Sequence, residues 1–580
     1  MDSENFRIVG VTKDLVSIEI VDPSEFEGQF NIGSYIKIPH DDAGKKYIVG
    51  IIQNYKIKNL DGDDADVAAI GSKFIIEVEL IGSFEEESAD KFQFERGAHG
   101  IPLPPKNGIE LLVQSDFEHI YSSKLEEAER FTFSTLSQEL SVEVPVNGNK
   151  FFNKHFAIIG STGSGKSHAV ATLLQRAVEE KDSGYDGLNN SHIILFDIHG
   201  EYQEAFPEAN HINSANIKIP FWLFDSDELG DLFIESSEEH SHNQVSQFRH
   251  AVTENKKIHN GSVPPESIYY DTPLKFSIQE VVNYISNLNN ELLDQKNNKR
   301  PTDKNKKVYG DRVPDYFSSS IEFEKSTGLV NGPFTGQFDR FILRLTTTLN
   351  NARLNFLFDD VDDIELEDVI CQFIGYGKSE EDNSNMTVID LSGIPFEVLS
   401  VTVSLISRLL FEYGYYLKKT SNEDYECDTP LLLVYEEAHK YVPKSDMARY
   451  RSSRNAIERI AKEGRKYGVT LGIVSQRPSE ISETIFSQCN NFIAMRLTNP
   501  DDQLYVKRLL PDTLAGLTDH LPSLQSGEAL VIGESIVIPA LVDIDMPKLN
   551  PSSTDIKYLD QWKQQWKSVD FDKIVSSWRS

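Results

Sequence analysis

Cysteine is scarce in this sequence, and there is neither a long apolar run nor a leader-like start. The 580 residues include three cysteines, Cys371, Cys427 and Cys489, whose scattered positions form no metal-binding spacing. Such usage is typical of a reducing compartment, so we expect a cytoplasmic protein. No apolar stretch approaches the roughly 20 residues of a membrane span. Residues 1–10 lack both the basic and the apolar region of a signal peptide, and we expect no membrane partner.

Basic residues are outnumbered by acidic ones. There are 57 Lys and Arg against 91 Asp and Glu, which gives a formal net charge of −34. Because phosphate contacts need Lys and Arg, this balance argues against a free monomer that binds nucleic acid. Residues 440–466 depart from the average, with nine Lys and Arg against three Asp and Glu. This stretch is either a phosphate-contacting surface or a solvated helix face.

Residues 1–112 predict a small N-terminal β-barrel. Runs such as 6–11, 16–20 and 47–52 have the composition of β-strands and are separated by Gly, Pro and Asp. Short, evenly spaced strands of this kind are typical of small barrels. The segment contains no catalytic constellation, so we expect it to serve in assembly or partner docking.

The remainder of the chain predicts an α/β fold. Strand patterns alternate with helical patterns, and the candidate core strands are 155–159, 192–197, 386–391, 431–436, 469–475 and 491–496. Such alternation predicts a mostly parallel sheet with helices on both faces. We assign this core to residues 113–206 and 386–545.

Two segments fall outside that alternation. Residues 207–385 are helical and polar in pattern and too long for a loop, which predicts an inserted helical subdomain. Within them, residues 296–307 carry six basic residues and predict a disordered surface loop, with a DNA or partner contact as the alternative. The tail 546–580 holds three of the four tryptophans. Aromatic residues in a polar tail usually anchor against another surface, so we expect the tail to brace a neighbouring subunit.

A phosphate-binding loop stands near the start of the α/β core. Residues 160–167, GSTGSGKS, fit the pattern G-x-x-x-x-G-K-[ST] between a predicted strand and a predicted helix. Backbone N–H groups and the helix dipole attract phosphate at such a place, and glycines let the backbone curl around the anion. Lys166 is expected to reach the β- and γ-phosphates of ATP, and Ser167 to ligate Mg²⁺. The predicted nucleotide-binding residues are Gly160, Ser161, Thr162, Gly163, Ser164, Gly165, Lys166, Ser167 and His168.

Other predicted strands end in polar residues. Strand 431–436 runs into Glu436 and Glu437, a Walker-B layout. Adjacent strand residues point to opposite faces, so the two acids should differ in role. Glu436 is expected to hold Mg²⁺, and Glu437 to orient or deprotonate the attacking water. Gln476 follows strand 469–475 and is expected to contact the γ-phosphate or position water. The segment 197–202, DIHGEY, follows a further strand, where ligands bind in open α/β sheets.

Six motifs in this order resemble the HerA-type ATPases, in particular bacterial HerA-like proteins, which are relatives of the FtsK DNA pumps. The motifs are GSTGSGKS, DIHGEY, LLLVYEEAHKYVP, IERIAKEGRKYG, IVSQRPSEI and LPSLQSGEALVIGE. The resemblance implies a RecA-like P-loop NTPase core that forms a homo-hexameric ring, hydrolyses ATP between subunits and holds double-stranded DNA in its channel. It also implies a partner, either a nuclease or a sirtuin-like effector, in anti-phage defence.

The same resemblance assigns roles to basic residues. Arg465 matches the family's trans-acting arginine, and Arg459 is the next candidate. Lys154 stands where relatives often carry arginine, which is a departure from the pattern. A ring with an acidic exterior and a basic bore would reconcile the net charge with DNA binding. The residues then expected to contact DNA are Lys440, Lys444, Arg451 and Arg454.

Three functions follow as alternatives. The first is an ATP-driven motor that translocates double-stranded DNA. The second is an ATP-gated ring scaffold that licenses an attached effector with little DNA movement, which the acidic surface favours. The third is a protein-remodelling ATPase. Stimulation of the ATPase by double-stranded DNA would separate the first from the third.

Overall fold

The structure of the protein is a computed structural model of one chain. The described residues are 6–12, 15–21, 32–39, 46–58, 73–88, 91–96, 109–122, 125–182, 187–234, 240–421, 428–445, 451–509, 518–552 and 556–579. Cys427 lies outside them, as do two charged residues of the basic stretch, Asp446 and Arg449. Within the described ranges, no helix combines the length and the apolar character needed to cross a bilayer.

The N-terminal segment forms a seven-stranded antiparallel sheet. Its strands are β1 (Phe6–Val11), β2 (Leu15–Ile20), β3 (Tyr35–Pro39), β4 (Lys46–Lys58), β5 (Lys73–Ser88), β6 (Lys91–Arg96) and β7 (Glu110–Leu111). The pairing order is β1-β2-β5-β4-β3-β7, with β6 on β5. Among the described residues β1 and β7 do not pair with each other, so the pairing is that of an open sheet, and the predicted closed barrel is not observed.

Alternating side chains of this sheet serve two cores. Ile36, Ile52 and Ile76 belong to a core of the sheet's own. Tyr35 and Val49, on the alternate positions, join the main core of the molecule. The Tyr35 hydroxyl donates to the carbonyl of Pro539 at 2.6 Å. Successive strand residues point to opposite faces of a sheet. One face of the N-terminal sheet therefore packs in its own core, and the other face packs against the main core.

The core begins with a helix, a hairpin and the strand that precedes the phosphate-binding loop. These elements are α1 (Gln114–Ser122), β8 (Arg130–Leu136), β9 (Glu139–Asn147), α2 (Gly148–Phe152), β10 (His155–Ile159), α3 (Lys166–Glu179), β11 (His192–Asp197) and β12 (Asn210–Ile212). The strand β12 pairs with the core sheet. The inserted segment therefore starts after Ile212 in the structure. The sequence did not reveal β12, because three residues are too few to form a recognisable strand pattern.

The inserted segment is mainly helical. Its elements are α4 (Ser226–Phe233), α5 (Ser241–His259), α6 (Ile278–Asn290), β13 (Leu292–Asp294), β14 (Arg300–Pro301), α7 (Asp315–Ser318), β15 (Leu329–Asn331), α8 (Asp339–Leu349), α9 (Asn355–Phe358) and α10 (Leu366–Ile374). The basic tract 296–307 includes β14 of a small three-stranded sheet, and Asp303 accepts from the backbone N–H of Lys307 at 2.8 Å. The prediction of a disordered loop there was wrong, because backbone pairing and this acidic side chain order the tract.

The chain then returns to the core. The remaining elements are β16 (Met386–Asp390), α11 (Phe396–Thr420), β17 (Leu431–Tyr435), α12 (Arg451–Glu463), β18 (Val469–Ser475), α13 (Glu483–Phe486), β19 (Cys489–Met495), α14 (Pro500–Leu509), β20 (Glu528–Gly533), β21 (Ala540–Ile544), α15 (Tyr558–Trp562) and α16 (Phe571–Arg579). The apolar run near 401–411 lies within α11, where it packs as a buried helix.

The central sheet has eleven strands in the order β12-β16-β11-β17-β18-β10-β19-β20-β21-β8-β9. Neighbours from β12 to β19 are parallel. Neighbours from β19 to β9 are antiparallel. The prediction of parallel strands thus describes one part of a mixed sheet. The parallel part brings the carboxyl ends of β10, β11, β17 and β18 to one edge, which is where ligands bind in open α/β sheets.

Candidate nucleotide-binding site

The phosphate-binding loop leaves β10 and is held by its neighbours. Ser161 N donates to the carbonyl of Arg496 at 2.7 Å, and Gly527 N donates to the carbonyl of Ser164 at 3.0 Å. Gly165 has φ +99°, and a Cβ there would lie 3.2 Å from Gly527 N. Both the backbone conformation and this close approach require glycine. The loop is therefore held in place by the ends of the adjacent strands.

The helix α3 starts at Lys166, immediately after the loop. The ammonium of Lys166 donates to the carbonyl of Ser161 at 3.3 Å. Burial lowers the pKa of Lys166, and the carboxylates of Glu437, Glu436 and Glu201 act in the opposite direction. Ser167 and His168 follow in the first helical turn and are half-buried. The predicted nucleotide-binding residues 160–168 are contiguous at this helix N-terminus, where unpaired N–H groups and the dipole attract anions.

Two buried carboxylates face this lysine from the end of β17. Glu436 and Glu437 are 4% and 3% exposed, and the Oε2 atom of Glu436 has no hydrogen-bond partner. Burial raises the pKa of Glu436 to about 9, and the nearby charges of Asp197, Glu201 and Glu437 add to the effect of burial. A cation bound beside these oxygens would favour the charged form of Glu436, which burial disfavours.

The strand alternation from which different roles for the two acids were predicted does not extend to Glu437. The strand β17 ends at Tyr435, and Glu437 has φ +48°, in the left-handed region. Strand alternation therefore stops before Glu437, and both acids act on the charge of Lys166. The assignment of Glu436 to Mg²⁺ and of Glu437 to water does not follow from alternation and stays a prediction.

Gln476, after β18, links the loop to the second acid. Its Nε2 donates to Glu437 Oε1, and its Oε1 accepts from the Thr162 hydroxyl. His439 Nδ1 lies 3.2 Å from Glu437 Oε2 and 3.2 Å from Ser475 Oγ. Gln476 thus bridges the phosphate-binding loop and the predicted base, the place where a γ-phosphate and its attacking water would lie.

Glu201 is a site residue for which the sequence suggested no role. Its Oε2 accepts from the Ser167 hydroxyl at 3.2 Å. Asp197, at the end of β11, accepts from the backbone N–H groups of Gly200 and Tyr202 at 2.9 and 3.0 Å and so shapes the loop. The signal was present in DIHGEY, as polar residues at the carboxyl end of a core strand, but only the strand order shows which of them reaches Ser167.

Arg465 lies at the amino-terminal ends of the parallel strands, opposite the carboxyl ends where the phosphate-binding loop lies. It belongs to a short 3-10 helix, Gly464–Tyr467, that precedes β18, whereas Gln476 follows the same strand. Seven strand residues span about 20 Å. The exposed guanidinium lies 3.4 Å from Asn490 Oδ1, and Asn490 Nδ2 donates to Glu534 at 2.8 Å. Lys154 pairs with the same Glu534. Lys154 and Arg465 are thus neighbours, and neither is near the chain's own phosphate-binding loop.

The other predicted basic residues lie on or near α12. The guanidinium of Arg459 lies over the ring of Phe411 at 4.6 Å from its centroid. Arg451 is exposed at the start of the helix. Arg454 pairs with Glu458 at 2.9 Å, and Lys444 pairs with Glu483 at 2.5 Å. Lys440 Nζ lies 3.4 Å from His199 Nε2, close to the nucleotide loops.

The site fits a nucleotide phosphate with Mg²⁺. The candidate ligand atoms are oxygens, namely the Ser167 hydroxyl and the buried carboxylate oxygens of Glu436 and Glu437, of which Glu436 Oε2 has no hydrogen-bond partner. Mg²⁺ prefers hard oxygen ligands of this kind. No group of three His, Cys, Asp or Glu side chains among the described residues forms a cage for a metal ion. That is expected for Mg²⁺, which is usually held by one or two carboxylates together with substrate phosphates.

A glycine-rich loop between a parallel strand and a helix, with its lysine facing two buried carboxylates, defines a P-loop ATPase. The family described as "Helicase HerA, central domain" matches residues 131–337. The chain is thus similar to the HerA-type ATPases, in its central part and in its nucleotide-binding site.

Known proteins are similar over most of the chain. The DNA double-strand break repair helicase HerA of Pyrococcus furiosus is 26% identical over 483 residues, which cover 80% of this chain and 80% of the relative. The protein of the same name from Saccharolobus solfataricus is 27% identical and covers 73% of this chain and 70% of the relative. Among solved structures, VirB4 of Thermoanaerobacter pseudethanolicus aligns with a TM-score of 0.44 and 13% identity over 73% of this chain and 98% of that chain.

Proposed function

We propose that the protein is an ATP-driven motor that assembles as a homo-hexameric ring and translocates double-stranded DNA through its channel. The observation that carries this proposal is the separation of Arg465 from its own phosphate-binding loop by the length of β18. A P-loop ATPase needs a cation against the charge that develops on the γ-phosphate. With Arg465 at the far edge of the sheet, a neighbouring subunit is the natural source of that cation.

The roles of the residues follow from this arrangement. ATP supplies the transferred phosphoryl group and Mg²⁺ neutralises its charge when both are bound. Lys166 pairs with the phosphates, and Ser167 and Glu436 hold the metal. Glu437 accepts the proton of the attacking water, and Gln476, already in contact with Glu437, orients that water. Arg465 of one subunit stabilises charge in the site of the next, an effect worth on the order of 10³–10⁵ in rate.

DNA is the proposed substrate of the motor. The relatives from Pyrococcus furiosus and Saccharolobus solfataricus are named DNA double-strand break repair helicases. A ring also separates the acidic exterior from the basic residues proposed for the bore, which are Lys440, Lys444, Arg451 and Arg454. Such contacts hold DNA by its phosphates without reading its sequence.

Assembly involves the C-terminal tail. Three tryptophans of the tail are exposed. Trp562, at 73%, lies in α15; Trp566, at 99%, lies between the helices; and Trp578, at 86%, lies in α16. Covering these three indole side chains would remove about 500 Å² of accessible surface from water. We propose that the tail covers part of a neighbouring subunit and that the N-terminal sheet docks partners.

The partner is proposed to be a nuclease or a sirtuin-like effector, in a system for defence against phage. The net charge of −34 favours a second candidate, an ATP-gated ring scaffold that licenses such an effector with little DNA movement. Translocation by the purified ring on double-stranded DNA, measured with and without the effector, separates the two. Motion along DNA supports the motor, and ATP-dependent effector activity without motion supports the scaffold.

Mixed rings test the shared site. Arg465→Ala and Lys166→Ala should each abolish hydrolysis, because one lacks the cation in trans and the other lacks the phosphate lysine. In a mixture, an intact pocket meets an intact Arg465 at some interfaces, so ATPase activity should rise above the sum of the two variants. Full activity of Arg465→Ala alone would end the proposal. Mixed rings that are verified by native mass spectrometry and stay inactive would move the role to Arg459.

A further inference from the structure

The carboxylate of Glu201 has no place in the chemistry above, although it touches the predicted metal ligand. Ser167 Oγ donates to Glu201 Oε2 at 3.2 Å. The charge of Glu201 also raises the pKa of both Lys166 and Glu436, in each case after larger contributions from burial and other charges. Glu201 therefore belongs to the electrostatic environment of the phosphate-binding lysine and the Walker-B carboxylate.

The loop that carries Glu201 is held from inside the core. The Asp197 carboxylate accepts from the backbone N–H groups of His199, Gly200 and Tyr202 at 3.2, 2.9 and 3.0 Å. Gly200 has φ +68°, and a Cβ there would lie 3.4 Å from both carboxylate oxygens of Asp390. Because L side chains rarely adopt this backbone conformation, glycine permits the turn that brings Glu201 to Ser167.

The same loop is also held from outside. Ser552 N and Ser552 Oγ both donate to the carbonyl of Glu201, at 2.8 and 3.1 Å. The segment 545–552 runs along α3, where Thr172 Oγ1 donates to the carbonyl of Asp545 at 2.6 Å and Lys548 N donates to Gln175 Oε1 at 2.8 Å. One segment thus clamps both the helix that carries Ser167 and the loop that carries Glu201.

We propose that Glu201 is a positioning residue for Mg²⁺, which accepts the hydroxyl proton of Ser167 so that a lone pair of Oγ faces the metal. A hydroxyl that ligates a cation uses a lone pair, and its proton must point to another acceptor. A carboxylate is a strong acceptor for that proton. The unpartnered, buried Oε2 atom of Glu436 is an independent sign that a cation belongs here. The inference rests on the proposed ATP and Mg²⁺ site.

Binding of a fluorescent ADP analogue, with Mg²⁺ or with EDTA, tests this role without relying on turnover. In EDTA, Glu201→Ala and the wild type should bind the analogue with equal affinity. In Mg²⁺, the increase in affinity should be about 10-fold smaller for Glu201→Ala than for the wild type, which is the lower end of the range for outer-shell partners of metal ligands. Glu201→Gln should lose less, because its amide oxygen still accepts from Ser167. Glu204→Ala, at an exposed acid further along the same loop, is the matched control and should keep the full gain.

A double-mutant cycle with Ser167→Ala decides whether Glu201 acts through Ser167. If it does, Glu201→Ala should add little in the Ser167→Ala background. A full additional loss there would mean that Glu201 reaches the metal shell by itself, and an equal loss in EDTA would mean that it only shapes the pocket; either result overturns the proposal, as does an unchanged Mg²⁺ gain in Glu201→Ala. A wild type without any Mg²⁺ gain would instead refute the proposed cofactor.

Discussion

Glu437 occupies an uncommon backbone conformation for a residue that is not glycine. Its φ of +48° turns the chain just after β17 and directs the carboxylate towards Gln476. Residues held in such regions cost of order 1–3 kcal/mol and persist where the surrounding structure enforces them, often at functional sites. The buried strand β17 and the following 3-10 helix, Ala438–Lys440, enforce it here.

Glu437→Gln should retain ATP binding and lose turnover. The amide keeps the shape of the carboxylate but cannot take a proton from water, so the rate should fall by about 10²–10⁴. Filter binding of radiolabelled ATP and single-turnover hydrolysis measure the two properties. If Glu436→Gln gave the trapped ATP state while Glu437→Gln lost Mg²⁺ affinity, the roles of the two acids would be exchanged.

His155, at the start of β10, makes the core sensitive to acid. Its Nδ1 accepts from the backbone N–H of Leu471 at 3.0 Å, and its Nε2 lies 2.9 Å from the carbonyl of Ala461, to which the neutral ring donates. Burial lowers the pKa of His155 from its ordinary 6.5 to about 4. The His155 ring is thus protonated more readily in the unfolded chain than in the folded protein. The contribution of neutral His155 to the stability of the folded protein is therefore complete above pH 6.5 and is lost as the pH falls towards 4.

His155→Gln should flatten this part of the pH dependence. Glutamine can accept from Leu471 and donate to Ala461 but does not titrate. The melting temperature of the variant should therefore decline less than that of the wild type as the pH is lowered from about 6.5 to 4.5. Melting followed by circular dichroism at several pH values in this range gives the comparison. Parallel declines would show that other groups dominate acid unfolding.

At the scale of elements, a buried ion pair ties the inserted segment to the core. Arg408 of α11 donates to Glu228 of α4 at 2.9 Å, and the two side chains are 11% and 0% exposed. Burial raises the pKa of Glu228 to about 7, although the charge of Arg408 opposes this. The orientation of the insertion on the core therefore depends on a charge pair that is largely shielded from water.

Arg408→Met should be strongly destabilising, while the double variant Arg408→Met/Glu228→Met should recover much of the loss. Removing one partner leaves a buried carboxyl without its cation, at a cost of about 3–5 kcal/mol, whereas apolar replacement of both is often close to neutral. Urea unfolding of the three proteins measures the difference. A double variant as unstable as the single one would show that the packing, and not the charge, matters.

The helix α12 is the element on which DNA contact is expected. Arg451→Ala with Arg454→Ala should weaken binding to duplex DNA of any sequence and reduce the salt dependence, by about 0.9 in the slope of log K against log salt for each phosphate that is no longer neutralised. Fluorescence anisotropy at several salt concentrations measures the slope. The control is Lys418→Ala with Lys419→Ala on α11, which removes the same charge elsewhere. An equal effect of both pairs would assign α12 to a solvated surface.

At the scale of the whole molecule, the proposed role of the tail and the proposed shared site both involve a second subunit. Truncation after Ser552 removes the exposed tryptophans and leaves the clamp on Glu201 intact. The truncated chain should therefore fold and bind nucleotide but fail to form rings, which light scattering coupled to gel filtration would detect. Rings of full size formed by the truncated chain would show that assembly does not require the tail.

The chemistry of the site was largely determined by the sequence alone. The phosphate-binding loop, the strands that precede Glu436 and Gln476, and the helix that starts at Lys166 could be predicted because each depends on short patterns of residue type and spacing. Local physical chemistry decides these features, since a strand needs buried apolar residues and a phosphate loop needs glycines within a few positions.

Only the tertiary structure decided how these pieces meet. Glu201 reaches Ser167 because β11 and β10 lie in one sheet with two strands between them, an order that no local pattern encodes. The side on which Glu437 lies depends on a backbone turn after β17 that the surrounding core enforces. Arg465 lies beyond reach of its own phosphate loop because β18 separates the two. Contacts between residues far apart in the chain follow from strand order and burial, and these are properties of the packed molecule.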